Sequence, residues 1–591
     1  LLINQLYQLM QIYHQLKYFF IIILLPLSIK LSAEGTKEIM PTSTDKGRIH
    51  LYKSFSDFAH IDATEPYRLH INIQATGEII YFGFGTTIDP MGGSGNDVSY
   101  RLMKPDGTIA LNLTSVPTSG AGFIDSYNKA VVGPKQFPGA STTGYNAIAY
   151  TATMTGDYYM EFDYSEWSSN GRREFTFFDI TVGLGNTKKL GRVWSKAWQF
   201  TATNEGSASS NQFKGSVYVY ADDGIVTKVN FNGFQPIVFN VFCNPTGVVN
   251  TGNFVEDRKS TNVNQKNPQY KIFLNDPDLT IYPTGAFGII TGAVTTFSYC
   301  DGGTDIFVPV NKAGRVELLI EANPAAGIQP VDRQIFADVV PGTNTIHWDG
   351  LNGLGQPLTS GSQVSVQATY LNGLTNLPLW DPDVNNNGFK VSLIRPTGPQ
   401  PAMFWDDSNI FGTSNLTGCT ATTGCHTFGS TIGNDNTINT WWYANSTTSA
   451  PVTFTYRHTY YGSSNQTLCE GDSVLYNGVW VKTAGVYSNT VLNMQGCDST
   501  TAINLTLIPK PTVTLPPDEA YCIGGSTTLD AGSGTGYTYF WTPGGATTQS
   551  ITVNTAGTYT VRVTAPNGCF KTDDFTLTIH PNPPGKQIKH Y

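Results

Sequence analysis

Charge is the first thing this sequence has little of. Among 591 residues, Lys and Arg number 35 and Asp and Glu 44, or 13% together, where a globular chain usually carries about 25%. Phosphate backbones are gripped by clustered Lys and Arg, so a net charge of −9 without a basic run speaks against a nucleic-acid partner. Long amphipathic helices need charged outer faces, and no convincing helical pattern of ten residues follows position 33. No apolar run after that position approaches the roughly 20 residues that cross a bilayer. Catalytic signatures are missing too. There is no G-x-S-x-G elbow, no H-E-x-x-H helix and no double C-x-x-C spacing, and the nine histidines are scattered, so the chain reads as a non-enzyme. Glycine (60) and proline (33) stay below the combined level of roughly 25–30% that marks disorder, which leaves a folded, turn-rich protein.

What is present begins with an export signal. Lys17 precedes an apolar run over 18–29, and Leu31-Ser32-Ala33 offers the small residues that suit a signal-peptidase cut before Glu34. Residues 1–15 read as an unstructured prefix, with translation expected to start at Leu16 from a non-standard start codon. Losing Lys17 and Lys30 with no acid takes the net charge from −9 to −11, an acidic exterior that anionic membranes repel. The mature protein is expected to be secreted or attached to a cell surface.

Period-two alternation dominates the remainder, as in Tyr67, Leu69, Ile71 and Ile73, in 213–220, and in Phe575, Leu577 and Ile579. Hairpin dipeptides separate such runs, among them Asp106-Gly107, Asp223-Gly224, Asn232-Gly233, Asn352-Gly353, Asn372-Gly373, Asn477-Gly478 and Asn567-Gly568. The fold class is therefore all-β, a modular chain of tandem antiparallel β-sandwich domains. A repeat sharpens the picture. Cys469-Glu-Gly-Asp-Ser473 returns as Cys522-Ile-Gly-Gly-Ser526, and Thr483-Ala-Gly-Val-Tyr487 returns as Thr555-Ala-Gly-Thr-Tyr559. Each tyrosine stands ten residues before a Gly-Cys cysteine, Cys497 or Cys569. Domains are expected at 34–182 (N-terminal sandwich), 183–304, 305–400 (Ig-like), 401–463 (aromatic-rich), 464–509 (Cys-containing repeat) and 510–580 (Ig/PKD-like). The tail 581–591 reads as a linker, as if the chain were a piece of something longer.

Eight cysteines, at 243, 300, 419, 425, 469, 497, 522 and 569, form an even set in an exported chain and favour disulfides over thiols. Sequential pairing is the expectation: Cys243–Cys300, Cys419–Cys425, Cys469–Cys497 and Cys522–Cys569. Cys419, Cys425 and His426 supply only three zinc ligands, so a small disulfide loop is preferred there.

The C-E-G-D-S, A-G-x-Y and G-C-D-S units resemble the Ig-like and PKD-like repeats of large Bacteroidetes surface proteins, the gliding-motility-associated group exported by type IX secretion. The resemblance extends to Gly35-Thr-Lys-Glu-Ile-Met-Pro, Gly191-Arg-Val-Trp-Ser-Lys-Ala-Trp, Tyr270-Lys-Ile-Phe-Leu-Asn-Asp-Pro-Asp and Phe404-Trp-Asp-Asp-Ser. It implies lineage and export to the surface of a Gram-negative cell; the sorting domain typical of that group is not present in this chain. His347-Trp348-Asp349-Gly350 is similar to the Ig-like half of the flagellar hook-cap protein, and 101–107 with 155–162 to the small sandwiches that follow secreted peptidases.

A few positions invite a functional reading. Asp381, Asp383, Asn385 and Asn387 place oxygen side chains at alternate positions before Gly388, as a calcium loop does, although the twelfth position counted from Asp383 is Ile394 rather than glutamate. An Asn-Gly turn explains the same residues, and Ca²⁺ is the only cofactor suggested. Trp441 and Trp442 form the densest aromatic cluster; on a strand they face opposite ways, so one is a candidate for stacking on a sugar. Asp222-Asp223 and Asp406-Asp407 read as turn caps rather than acid pairs, and Glu161 with Asp163 as a solvated face. The expected role is that of an adhesin or stalk ectodomain with surface glycans or other surface proteins as partners. The alternative is a set of carbohydrate-binding or positioning modules serving a secreted hydrolase whose catalytic domain lies outside these residues.

Overall fold

The computed structural model describes residues 34–585 except 54–55, 89–96, 138–142, 165–171, 203–210, 323–328, 411, 421–422, 430–435 and 494–495. The leader and the start at Leu16 lie outside the described residues. Among the described residues, helix is limited to short segments at Thr36–Ile39, Tyr127–Val132 and Phe254–Asp257 and a 3₁₀ turn at Glu65–Tyr67, and strands make up the rest of the regular structure. The chain is all-β, as the alternation predicts. It forms two units, one from residues through Thr296, Asp305–Ile346 and Ser365–Thr453, the other from Phe297–Thr304, His347–Val364 and Phe454 onward.

Two nine-stranded sheets are the largest in the larger unit, beside a four-stranded sheet that holds Ile79–Phe84 and Phe178–Leu184 and a five-stranded sheet built on Gly314–Glu321. The first runs, in spatial order, through Ser414–Thr420, Ala402–Asp406, Thr437–Trp442, Thr375–Trp380, Val238–Phe242, Ala197–Thr201, Arg48–Leu51, Arg173–Phe175 and Thr87–Ile88. The second runs through Lys390–Arg395, Val226–Asn230, Ser216–Tyr220, Lys271–Phe273, Val193–Ser195, Leu69–Ile73, Gly156–Asp163, Ser99–Met103 and Ile109–Ser115. Each sheet draws strands from both sides of residues 183 and 305. Phe200, Val241 and Ile438 of the first sheet and Ile71, Val217 and Ile272 of the second belong to one apolar core, within which Phe213 meets Phe231, and Phe234 meets Phe239, edge to face. Leu69–Ile73 is buried on both faces, where alternation alone suggests one wet face. The reason is tertiary, since polar His70 and Asn72 are covered in turn by the stacked Trp194 ring and by hydrogen bonds to Asp157 and Gln74.

The smaller unit shows the sequence repeat as a repeat of structure. In the first module Tyr460–Cys469 runs parallel to Asp498–Ile508, which pairs antiparallel with Gly485–Leu492. In the second, Glu519–Cys522 runs parallel to Phe570–His580, which pairs antiparallel with Gly557–Thr564. Each repeat tyrosine returns its hydroxyl to the threonine that opens its motif: Tyr487 to the Thr483 carbonyl at 2.8 Å, Tyr559 to that of Thr555 at 2.9 Å. Asn477 and Gly478 both adopt positive φ, 48° and 77°, in the two-residue turn joining Val474–Tyr476 to Val479–Val481.

The parallel pairing overturns two of the four sequential disulfides. Cys469 ends its strand opposite Ile508, whereas Cys497 sits just before that partner strand begins, so ten residues at about 3.3 Å each hold them about 30 Å apart. A cystine needs Cα atoms within about 7 Å. Cys522, opposite His580, is separated from Cys569 for the same reason. The structure instead joins Cys300 to Cys497 and Cys469 to Cys569, retains Cys419–Cys425, and leaves Cys243 and Cys522 as thiols. Cys243 does not meet Cys300, because it is enclosed in the apolar core of the larger unit, where burial pushes its thiol up. Peptide mapping without reductant should recover the three cross-links; native alkylation should modify Cys522 and spare Cys243 until the chain is unfolded.

Candidate functional site

Two of the positions singled out in the sequence turn out to be halves of one feature. Asn385 exchanges both backbone hydrogen bonds with Phe428, and Phe389 does so with Cys425, so the 381–389 segment lies against 425–428. Gly424 allows this approach, since a Cβ there would lie 2.0 Å from the Asn387 carbonyl. Asn385 Nδ2 donates to the His426 carbonyl at 3.0 Å, and its Oδ1 accepts from the Gly388 amide at 3.1 Å. Asp383 accepts from the Ile237 amide at 2.7 Å, and burial raises its carboxyl above its ordinary range. Asn387 Nδ2 donates to the Asn232 carbonyl at 3.1 Å. Asp383, Asn385 and Asn387 are thus committed to three different backbone partners. Asp381, buried at the head of the segment, takes φ of 58°.

This stitching delivers His426, held at φ 62°, into the interior. Its Nε2 lies 2.7 Å from Asp407 Oδ2 and its Nδ1 2.6 Å from Thr440 Oγ1, while the indole of Trp405 stacks on the ring at 4.8 Å. The other Asp407 oxygen accepts from Ser260 Oγ at 2.6 Å, and that hydroxyl accepts from the Asn439 amide at 2.9 Å. A hydroxyl, an imidazole and a carboxylate in line have the composition of a nucleophilic triad. Burial decides against that use. Thr440 and Ser260 are 0% exposed and His426 and Asp407 2%, so no substrate reaches them in this arrangement. The group is a polar cross-brace whose members satisfy one another. Sequence reading missed it because Ser260, Asp407, His426 and Thr440 are spread over 181 positions; only the adjacency of His426 to Cys425 was a hint. Of the adjacent acids, Asp406 does cap a turn, accepting from the Ser408 amide at 3.0 Å, and Asp223 caps both Ile225 and Gly373 amides.

Neither tryptophan is available to a sugar. Trp441 and Trp442 face opposite ways as expected, but both faces are covered. Trp442 lies in the main core with its indole donating to Thr227 Oγ1 at 3.1 Å. Trp441 packs with Phe254, Leu371 and Phe404 under the Arg258 guanidinium, 4.6 Å from its ring. Glu161 is likewise no solvated residue: it is buried and ion-paired with Arg101 at 2.5 Å, and burial raises its carboxyl.

A second buried node gathers three of the quoted motifs. Glu34 is 0% exposed, and its carboxylate accepts from the Arg192 and Val193 amides at 3.1–3.3 Å. The Arg192 side chain pairs with Asp278 at 2.7 Å and Glu78 at 3.3 Å, and Asn275 donates to Glu38 at 3.1 Å. The segments opening at Gly35, Gly191 and Tyr270 therefore meet in space. A cleft of about 300 Å³ lies nearby, lined by Met40, Asp45, Arg48, Phe123 and Asp125 among others. Three of its charged residues are engaged: Asp45 with Lys214, Arg48 with Glu174, and Asp125 with Lys129.

No family model matches the chain, and no curated protein matches it. Among solved structures it is similar to the N-terminal four Ig domains of Dscam1 isoform 6.44, with 11% identity, 50% of this chain and 99% of that chain covered, and a TM-score of 0.12. Sidekick-1 immunoglobulin domains 1–4 align at 11% identity over 49% of this chain and 75% of that one, TM-score 0.11. The insect immune protein hemolin aligns at 12% over 49% and 100%, TM-score 0.13. Matches at such scores carry nothing about partner or activity.

Replacing Asp407 with alanine should strand the buried imidazole of His426 and hydroxyl of Ser260 and lower the stability of the larger unit by about 2–5 kcal/mol. Trp442→Ala should cost about 3–5 kcal/mol through the cavity it leaves. Urea unfolding followed by tryptophan fluorescence reads the first; the second is read by circular dichroism, because it removes a fluorophore.

Proposed function

We propose that this protein is a non-catalytic ectodomain, exported to the cell surface, that serves as an adhesin or a stalk. The observation that carries the reading is the Cys469–Cys569 cystine, which ties the first strand of one repeat module to the last turn of the next across 100 residues. Cross-linking a loop of that length stabilises by about 4–5 kcal/mol in the chain-entropy account, and it keeps two neighbouring modules from being drawn apart. Such bonds persist in oxidising surroundings, which agrees with the export signal read in the sequence. The all-strand construction and the tandem modules support the same role. The resemblance of the repeat motifs to Bacteroidetes gliding-motility-associated proteins favours a Gram-negative surface and type IX export, with surface proteins or glycans as partners. Among the described residues no helix is long and apolar enough to cross a membrane.

Two measurements test the reading. Antibody raised against 464–580 should stain intact cells of the source organism, and cells lacking the gene should attach less to surfaces or to one another. Retention of the protein in the cytoplasm with its cysteines reduced would refute it. In single-molecule extension, reduction of Cys469–Cys569 should release up to about 330–360 Å of additional contour from the 100 spanned residues; equal contour lengths in both redox states would remove the mechanical part of the proposal.

A further inference from the structure

The pattern C-x-G-x-S/T occurs three times in the chain, at Cys300-Asp-Gly-Gly-Thr304, Cys469-Glu-Gly-Asp-Ser473 and Cys522-Ile-Gly-Gly-Ser526. Its glycine is left-handed each time, with φ of 97° at Gly302, 82° at Gly471 and 95° at Gly524, a conformation that glycine adopts without steric cost. The Asp472 amide donates to the Cys469 carbonyl at 3.0 Å and the Gly525 amide to that of Cys522 at 3.0 Å, so these two turns close alike.

Each of the three cysteines stands where a module begins or ends. The Thr459 amide donates to the Cys300 carbonyl at 2.7 Å, one residue before Tyr460–Cys469 opens the first module. Cys469 lies opposite Ile508, the last residue of that module's closing strand, and the Glu470 amide donates to the Ile508 carbonyl at 2.9 Å. Cys522 lies opposite His580, the last residue of the second module's closing strand, and the Ile523 amide donates to the His580 carbonyl at 3.0 Å. Motif and placement are the same at both modules.

Cys300 and Cys469 are bonded, and to the same kind of partner. Each takes the Gly-Cys cysteine of the module that follows it, Cys497 for Cys300 and Cys569 for Cys469. The two partners are built alike. Both follow a glycine of positive φ, 78° at Gly496 and 84° at Gly568, and both are 1% exposed. Both accept on their carbonyl at 2.8 Å, from the Asn493 amide and the Ala565 amide respectively. Two bonded copies of one motif thus define what the motif takes. At the third copy the thiol is exposed, with Ile523 beside it 62% exposed, whereas Cys300 and Cys469 are half-buried. Cys243 cannot serve as its partner, being enclosed in the core of the larger unit.

We propose that Cys522 is the receiving half of an inter-module cystine, and that its partner is the Gly-Cys turn of a further module of this plan seated at the His580 end. The two thiols lose two protons and two electrons as the S–S bond forms. The electrons pass to the disulfide of an oxidising thiol–disulfide exchange protein, which leaves as a dithiol. The inference rests on the export reading only for the oxidising surroundings in which this exchange goes to completion.

A fusion made in the laboratory tests the bond apart from export. A second copy of residues 509–580 is joined directly after His580, carrying C522S to remove its own receiving thiol and K571R to distinguish its peptide by mass. The purified chain is equilibrated in a buffer of reduced and oxidised glutathione and mapped without reductant. Cys522 should be recovered joined to the copy's Cys569, and its native alkylation should be lost. In a control fusion the copy carries C569S and A556C, which moves the thiol to the far end of its strand pair, and no bond to Cys522 should form. Cys522 left alkylatable in the first fusion would overturn the proposal, as would equal bonding in the control. A second measurement needs no engineered module. Thiols of intact source cells are blocked before lysis and the Cys522 peptide is isolated: a cystine to a cysteine that follows a glycine is expected, and a mass unchanged or split on reduction tells the same chain from another. Cys522 found as a blocked thiol on exported protein, or joined to the Cys522 of a second copy, would overturn the proposal. Protein found only in the cytoplasm refutes the export reading and leaves the fusion to decide the bond.

Discussion

A carboxylate or imidazole cut off from water must be met by donors and charges inside the protein, and the larger unit is organised around two places where that demand is satisfied. At one, Glu34, Asp179 and Arg192 draw together the segments opening at Gly35, Gly191 and Tyr270. At the other, Asp407 links His426 to Ser260 and so fastens the 404–408 segment to a residue 147 positions away in the chain. Apolar burial supplies the bulk of the stabilisation in such a core and is indifferent to register. Buried polar contacts are not, because one misplaced strand would leave charges unmatched at several kcal/mol each. In a chain with 13% charged residues, the few that lie inside select among alternative strand arrangements.

A different constraint governs the smaller unit. The first and last strands of each module run parallel, which places the start of one beside the start of the other. Cysteines near opposite ends of those strands cannot close on each other, so the bonds pass outward: Cys469 to the neighbouring module and Cys497 to Cys300. The cross-links therefore connect pieces of the unit that the hydrogen-bonded sheets do not, and they add stability where exposed side chains such as Tyr461, Trp480 and Leu492 show how little apolar surface these thin modules bury.

Much of this was legible in advance. The strand content follows from alternation and turn dipeptides, and Asn477-Gly478 forms the hairpin its residue types demand. The tandem repeat reappears strand for strand, down to the tyrosine hydroxyl that returns to its own motif's threonine. Cys419–Cys425 is a local bond that spacing alone could suggest. The polar nodes were not legible. Ser260, Asp407, His426 and Thr440 form no motif along the chain, and Trp441 and Trp442 could be assigned opposite faces but not the covers that each face receives.

Local chemistry is written in neighbouring residues, since period, turn propensity and repeat register depend on positions within about ten of one another. The sequence by itself therefore determined an all-strand, turn-rich chain with two like modules. Pairing between distant strands depends on which buried surfaces and buried charges complement one another once the chain is folded. That is why only the tertiary structure decided which cysteines meet, that both tryptophans are enclosed, and that Glu34 comes to rest against Asp179.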